Sequence, residues 1–403
     1  MLPYFQSLGQ TVLTRWKQAN FSLAAFPKIA CAALGENPPA DHVDLAMLTR
    51  EFLLNDAQPF QGASGFGQPE LIVYDDPRFY IQVLFWLEGT TDIHQHKFSG
   101  AFHVLAGSSL HSLFEFRNAD PITPHLSVGE VRMQSPHLLE RGTTVPIVSG
   151  GGYIHSLFHL ETPSVTVVVR THTDPGTGPQ YTYLPPHVAV NPFHHDALTT
   201  RRKQLLDVLE KTEDPAYPDL VLAMLAELDC ERAFFILQNG MAHLRGLGAW
   251  DACWKVFAAR FPRWAPKFLA TLGEIVRRDS LVAMRSMIGD VEHRFFVALL
   301  LNLSERAQIL KLIGQRFKGP PLKTIERWTE ELCQSTDEVA WILDAEFPLT
   351  ERPVEEQPAL LLAVLHQALR GGPSGARAVP GLSVTEHRRV LAALKASSFS
   401  VLL

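Results

Sequence analysis

The sequence is poor in cysteine, has no long apolar run and carries no excess of positive charge, and each shortage removes a class of protein. The four cysteines, Cys31, Cys230, Cys253 and Cys333, lie far apart with no Cys-x-x-Cys pair. That spacing supports neither a disulfide framework nor a zinc ribbon. No segment reaches the roughly 18 uninterrupted apolar residues that a bilayer span needs. VLAMLAEL and FFVALLLNL are both soon broken by charges. The N-terminus places its basic residues after its first apolar cluster, unlike a signal peptide. A cytoplasmic protein without a membrane segment is expected. The net charge is −6, with the acidic excess confined to residues 1–195, while Lys+Arg and Asp+Glu balance over 196–403. No basic face or arm suited to phosphates stands out, so nucleic acid is not an expected partner.

What is present is length and patterning. A chain of 403 residues exceeds what one core usually serves, so more than one domain is expected. Residues 1–60 show apolar positions at helical spacing and are read as a helical segment packed on the next domain. Between 61 and 190 the pattern turns to short β-branched and aromatic runs, LIVY, FYIQVLFWL, AFHVLAG, SLHSLFEF and SVTVVVRT, most of them separated by Gly, Pro, Asp or Asn. Many short strands without intervening helices predict an antiparallel barrel or jelly roll. The Pro/Gly-rich passage PGTGPQYTYLPPHVAVNPFHHD marks a boundary, and residues 191–403 read as an all-α domain.

The chemistry concentrates in two stretches. In GTTDIHQHKFSGAFHVLAG, His94 and His96 are two apart, so on a strand both face one side of the sheet. With 17 histidines in the chain, such a pair carries little by itself. The second stretch, SGGGYIHSLFHLETPSVTVVVRTH, follows three glycines with His155 and His159 on one strand face.

Together these stretches resemble the two motifs of the cupins, jelly-roll proteins. The first cupin motif runs from Gly through His-x-His and a Glu to a second Gly; the second runs Gly, two residues, His, three residues, Asn. Here the order is Gly89, His94-x-His96, Gly100, Gly107, then Gly152, His155 and His159, with Gly150 in place of a proline and Gly89 one residue closer than usual. The resemblance implies a metal on His94, His96 and His155. Gly100 stands where the cupin glutamate would, leaving three neutral donors and open positions on a divalent ion. Imidazole suits iron, zinc, copper or nickel alike.

Over about residues 70–175 the chain further resembles the thiol dioxygenases, three-histidine cupins of which cysteine dioxygenase is the type. FYIQVLFWLEGTTDIHQH is similar to the strand entering that family's metal motif, and TPSVTVVVR to a later strand. The resemblance implies Fe(II), dioxygen and a small substrate bearing a thiol, amine or carboxylate. The family's Ser-His-Tyr row corresponds here to Thr166, Val168 and Arg170, its cross-linking cysteine to Gly100, and its carboxylate-clamping arginine to Glu70. Cysteine is therefore not carried over as substrate.

Other residues are read two ways. Arg170 is either a clamp for a substrate carboxylate or the partner of an acid such as Glu88 or Glu115. His159 is a fourth ligand, a donor behind the ligands, or a packed histidine. Tyr153 either lends its hydroxyl to the site or packs at the barrel mouth. His103 should face away from the site, while Phe85, Trp86, Phe98 and Phe102 should form core or pocket wall. His194 and His195 beside Asp196 are read as a helix entry capped by the aspartate. The rival readings are a cupin ligand sensor with a helical protein-interaction domain and a zinc or nickel isomerase or hydrolase. The helical half offers a surface for a homodimer or a protein partner.

Overall fold

The computed structural model describes the whole chain except residues 63–65, 90–91, 334–352, 354–355, 372–378 and 380. Four helices come first: α1 (Leu2–Gln18), α2 (Phe26–Glu36), α3 (Pro39–His42) and α4 (Leu45–Leu54). Asp44 caps α4 by accepting from the Met47 N–H. Eleven strands follow among the described residues: β1 (Glu70–Asp75), β2 (Phe79–Trp86), β3 (Ile93–Gln95), β4 (Gly100–Ala106), β5 (Ser109–Thr123), β6 (Leu126–Leu139), β7 (Thr144–Ile147), β8 (Ile154–His159), β9 (Ser164–Thr171), β10 (Thr182–Leu184) and β11 (Val188–Val190).

One sheet has the order β1-β2-β9-β4-β7, and β10-β11-β6-β5-β8-β3 closes as a barrel. This is a jelly roll of the cupin kind, with helices before it and a helical region after it. The Pro/Gly-rich passage read as a boundary contributes β10 and β11 to the barrel, and helix begins only at α5 (Ala197–Lys211). The long strand β6 went unread in the sequence because Gly, Arg, Gln and Pro interrupt its alternation.

Alternation divides each strand of the five-stranded sheet between two environments. Ile81 and Val83 of β2, with Val165, Val167 and Val169 of β9, pack outward under Phe5, Leu8, Val12 and Trp16 of α1 and Phe26 and Leu34 of α2. Each such fully buried side chain contributes about 1.5–3 kcal/mol. Leu84 and Trp86 of β2, Phe102 and Val104 of β4 and Val168 of β9 turn to the other face. Because helices cover the outer face, SVTVVVRT is buried along nearly all its length.

His103 faces outward, as its register requires. It is fully buried, with Nδ1 2.8 Å from Thr144 Oγ1, and Nε2 accepts from the Ala40 N–H at 3.4 Å. Burial lowers its pKa to about 4. The unfolded chain therefore binds a proton that the folded chain refuses between about pH 6.5 and 4. Stability from this group is complete above the unfolded value and is lost as the pH falls through that window. His103→Asn is expected to flatten the acid limb of the stability profile by roughly 2 kcal/mol in chemical denaturation at pH 4.5 against pH 7.5. An unchanged acid limb would show that the histidine does not titrate on unfolding.

By packing, the chain divides into two compact units. The first comprises Met1–Ser108, Leu113–Ser135 and Leu139–Ile275; the second comprises Ser109–Ser112, Pro136–Leu138 and Val276–Leu403. The change from strand to helix falls at residues 190–197, whereas the division between units falls inside a later helix, Ala265–Met287. The second unit has an aromatic centre of its own, in which Phe296 and Phe317 pack against the fully buried Trp328.

Candidate metal centre

The expected histidines converge. β3 pairs with β8 in antiparallel register that sets His94 directly opposite His155, and β2, β9 and β4 supply the facing wall. Alternation sends His94, His96, His155, Leu157 and His159 to one cavity, while Gln95 on the other face accepts from the Tyr183 hydroxyl at 2.6 Å. The turn into β8 runs through Gly150 at φ +84°, a left-handed conformation suited to glycine.

One ring nitrogen from each of His94, His96 and His155 lies within 4.8 Å of the others, the sole such cluster of possible ligands among the described residues. Nε2 of His96 and Nε2 of His155 are 2.8 Å apart. That matches the roughly 2.9 Å between donors at right angles around an ion with bonds of about 2.05 Å. Nε2 of His94 is buried with no hydrogen-bond partner among the described residues. Its Nδ1 lies 3.3 Å from the Asp92 carbonyl, a contact that places the proton on Nδ1 and leaves Nε2 to accept. Burial lowers the pKa of His94, with the Asp92 carbonyl opposing. Burial, followed by the charges of His94 and Arg170, holds His96 well below the usual imidazole value. Burial thus favours the neutral form of His94 and His96, the form that a cation needs, and the three converging ring nitrogens together fit a divalent metal.

The place of the cupin glutamate is sterically closed. Gly100 pairs with both Ile147 and Arg170, and a Cβ built on it would meet the Val169 carbonyl oxygen at 2.1 Å and the Arg170 Cα at 3.0 Å. No side chain fits there, so the donor set stops at three imidazoles.

His159 lines the same cavity but is not one of the three converging histidines. It stacks on Trp86 with centroids 4.6 Å apart and planes at 16°, and burial lowers its pKa to about 3. Tyr153 lies beside His155 at 4.9 Å and packs with the inner cluster rather than lining the cavity; burial raises its pKa. Arg170 is not part of the cavity wall. Its guanidinium lies 3.4 Å from the Phe98 ring centroid and donates to the carbonyls of Thr171 and His172, each at 3.3 Å. Glu115, one of the two acids read as its partner, pairs with Arg117 instead. Trp86, Phe98 and Phe102 line the cavity, but Phe85, adjacent to Trp86, points to the outer cluster.

Sequence reasoning passed over Gln82, a polar residue in the apolar run FYIQVLFWL that lies 1% exposed on the cavity wall. A single polar residue at an inward position of a strand was the signal available.

A larger cavity, about 350 Å³ against about 160 Å³, lies where β11 meets α5 and includes His194, His195 and Asp196. The capping reading holds there. Asp196 accepts from the Leu198 N–H and the Thr199 hydroxyl and pairs with Arg232 at 2.6 Å, which holds its pKa down to about 2.

Strand order and histidine placement together define a cupin-type barrel with a three-histidine cluster that can hold a metal. No protein-family model and no curated protein sequence matches the chain. Among solved structures it is similar to hydroquinone 1,2-dioxygenase from Sphingomonas, at 16% identity over 28% of this chain and 70% of that one, with a TM-score of 0.21. It is likewise similar to the DMSP lyase DddQ from Ruegeria pomeroyi, at 16% identity over 44% and 94%, with a TM-score of 0.24. A cupin protein from Bacteroides fragilis matches at 9% identity over 30% and 86%, with a TM-score of 0.18. Among the described residues, no helix is long and apolar enough to cross a membrane.

Proposed function

We propose that His94, His96 and His155 bind one Fe(II) ion and that the protein is a mononuclear non-haem oxygenase acting with dioxygen on a small metabolite that bears a thiol, amine or carboxylate. The observation that carries this reading is the convergence of three ring nitrogens, one of them without a hydrogen-bond partner among the described residues, in a mostly apolar cavity. When bound, iron supplies open coordination positions and lets dioxygen react with a closed-shell substrate. The chain's own part is positional. The Asp92 carbonyl fixes the tautomer of His94. Gly100 withholds a carboxylate, so the charge of a divalent ion stays uncompensated and attracts an anionic substrate group. Trp86, Phe98 and Phe102 exclude water around the reacting atoms. On this reading His159 is a positioning residue for Trp86, and Tyr153 and Arg170 support the site from behind its walls.

Protein purified without oxygen is expected to carry about one iron per chain and to consume oxygen on addition of a matching thiol or amino compound, read by elemental analysis and an oxygen electrode. Zinc or nickel without oxygen uptake would instead favour isomerase or hydrolase chemistry. Absence of any metal would favour a ligand sensor.

A further inference from the structure

The cavity beside the histidines has an uneven polar lining. Trp86 Nε1 donates to Thr166 Oγ1 at 3.2 Å. Gln68 Oε1 already accepts from the N–H groups of Leu87 and Glu88, at 2.9 and 3.0 Å. Gln82 differs. β2 pairing sets it beside Val168, which in turn lies beside Phe102, so the three form one row across the cavity wall. Its Oε1 is buried with no hydrogen-bond partner among the described residues. An amide buried in an apolar wall is unfavourable unless something hydrogen-bonds to it.

Among the described residues the lining also lacks a Lys or Arg. Its one carboxylate is that of Asp92 at an exposed position, and the nearest guanidinium, of Arg170, lies behind Phe98. Away from the histidines, an anionic group on a ligand would be buried without a counter-charge. Leu84, Trp86, Phe102 and Ile147 offer apolar and aromatic surface instead.

We infer that, away from the histidines, this cavity takes a neutral, largely apolar or aromatic part of its ligand that carries a hydroxyl group, and that Gln82 holds the hydroxyl. The inference rests on the proposed function only in taking the cavity beside the histidines as the substrate site. A hydroxyl both donates and accepts, so it suits either end of the amide. A wall built to pair with a hydroxyl discriminates against an isostere without one, because the amide is then left unpaired.

The test uses phenol, toluene and benzoate as probes, titrated by calorimetry into the full chain first without metal and then loaded with Fe(II) under nitrogen. Wild-type protein is expected to bind phenol roughly tenfold or more tightly than toluene, and to bind no benzoate while metal-free. Gln82→Leu should lose roughly tenfold or more of its phenol affinity while holding toluene as well as before. Its melting temperature, no lower than that of wild type, shows that it is folded; should it misfold, Gln82→Met serves the same comparison. Equal affinity for phenol and toluene in wild type, undiminished phenol binding by the variant, benzoate bound in preference to phenol without metal, or no binding of any probe each overturn the inference. Because the first titration contains no metal, phenol selectivity that depends on Gln82 survives a failure of the iron reading, and one iron per chain with no such selectivity leaves the iron reading standing alone.

Discussion

Replacing His155 by alanine is expected to reduce the metal bound by anaerobically purified protein to less than about a tenth of the wild-type content, through a loss of more than a hundredfold in affinity. The estimate follows from the donor count. Removing a residue that merely orients a ligand typically costs 10–100-fold in metal affinity, and here a ligand itself disappears from a set of three with no fourth to compensate. Among the described residues no fourth donor joins the cluster: His159 stacks on Trp86, and Gly100 carries no side chain. His94→Ala and His96→Ala should behave alike, with thermal unfolding of the metal-free proteins close to that of metal-free wild type. Elemental analysis alongside a competition titration decides it. Bound metal undiminished in any of the three variants would remove the basis of the proposed function.

Gly100→Ala is expected to lower stability by about 3 kcal/mol or more, seen as a fall of roughly 5–10 °C in the unfolding midpoint of the barrel. The reason is the partner atom. A new Cβ would meet the Val169 carbonyl oxygen, part of a central strand with its own ladder to keep, rather than the movable end of a side chain. Gly100→Glu should fare worse, and it should not add a fourth ligand, because β4 and β9 must separate before any side chain fits. A midpoint unchanged by Gly100→Ala would mean that the strands part easily, and that the three-histidine set is a choice of side chain rather than of backbone spacing.

The three converging histidines were legible because the information needed is local. A two-residue period fixes which face His94 and His96 share, and a glycine-rich turn followed by a strand fixes His155. Rules of the same period, applied without the third dimension, left other residues undecided. Arg170 does follow Thr166 and Val168 on one face, yet Phe98 arrives from the loop before β4 and interposes its ring. Phe85 and Trp86 cannot share a face, and a strand covered by helices makes both sides look like core. Gln82 was hidden by its neighbours, since a lone polar letter among seven apolar ones reads as noise until the wall around it is known. The helical region gave its elements but not its grouping, because the division between units falls within the single helix Ala265–Met287, where no glycine-rich or proline-rich break announces it.

β3 is three residues long, and it nonetheless carries His94 and leads directly into His96. A strand so short holds its place through few ladder bonds, to β8 on one side and β10 on the other. An ion gripped by both histidines and by His155 across the ladder would act as a rivet between neighbouring rungs. Loading the centre and seating the strand would then be one equilibrium: whatever frays β3 would loosen the hold on the ion, and each ion captured would tighten the weave of the barrel around it.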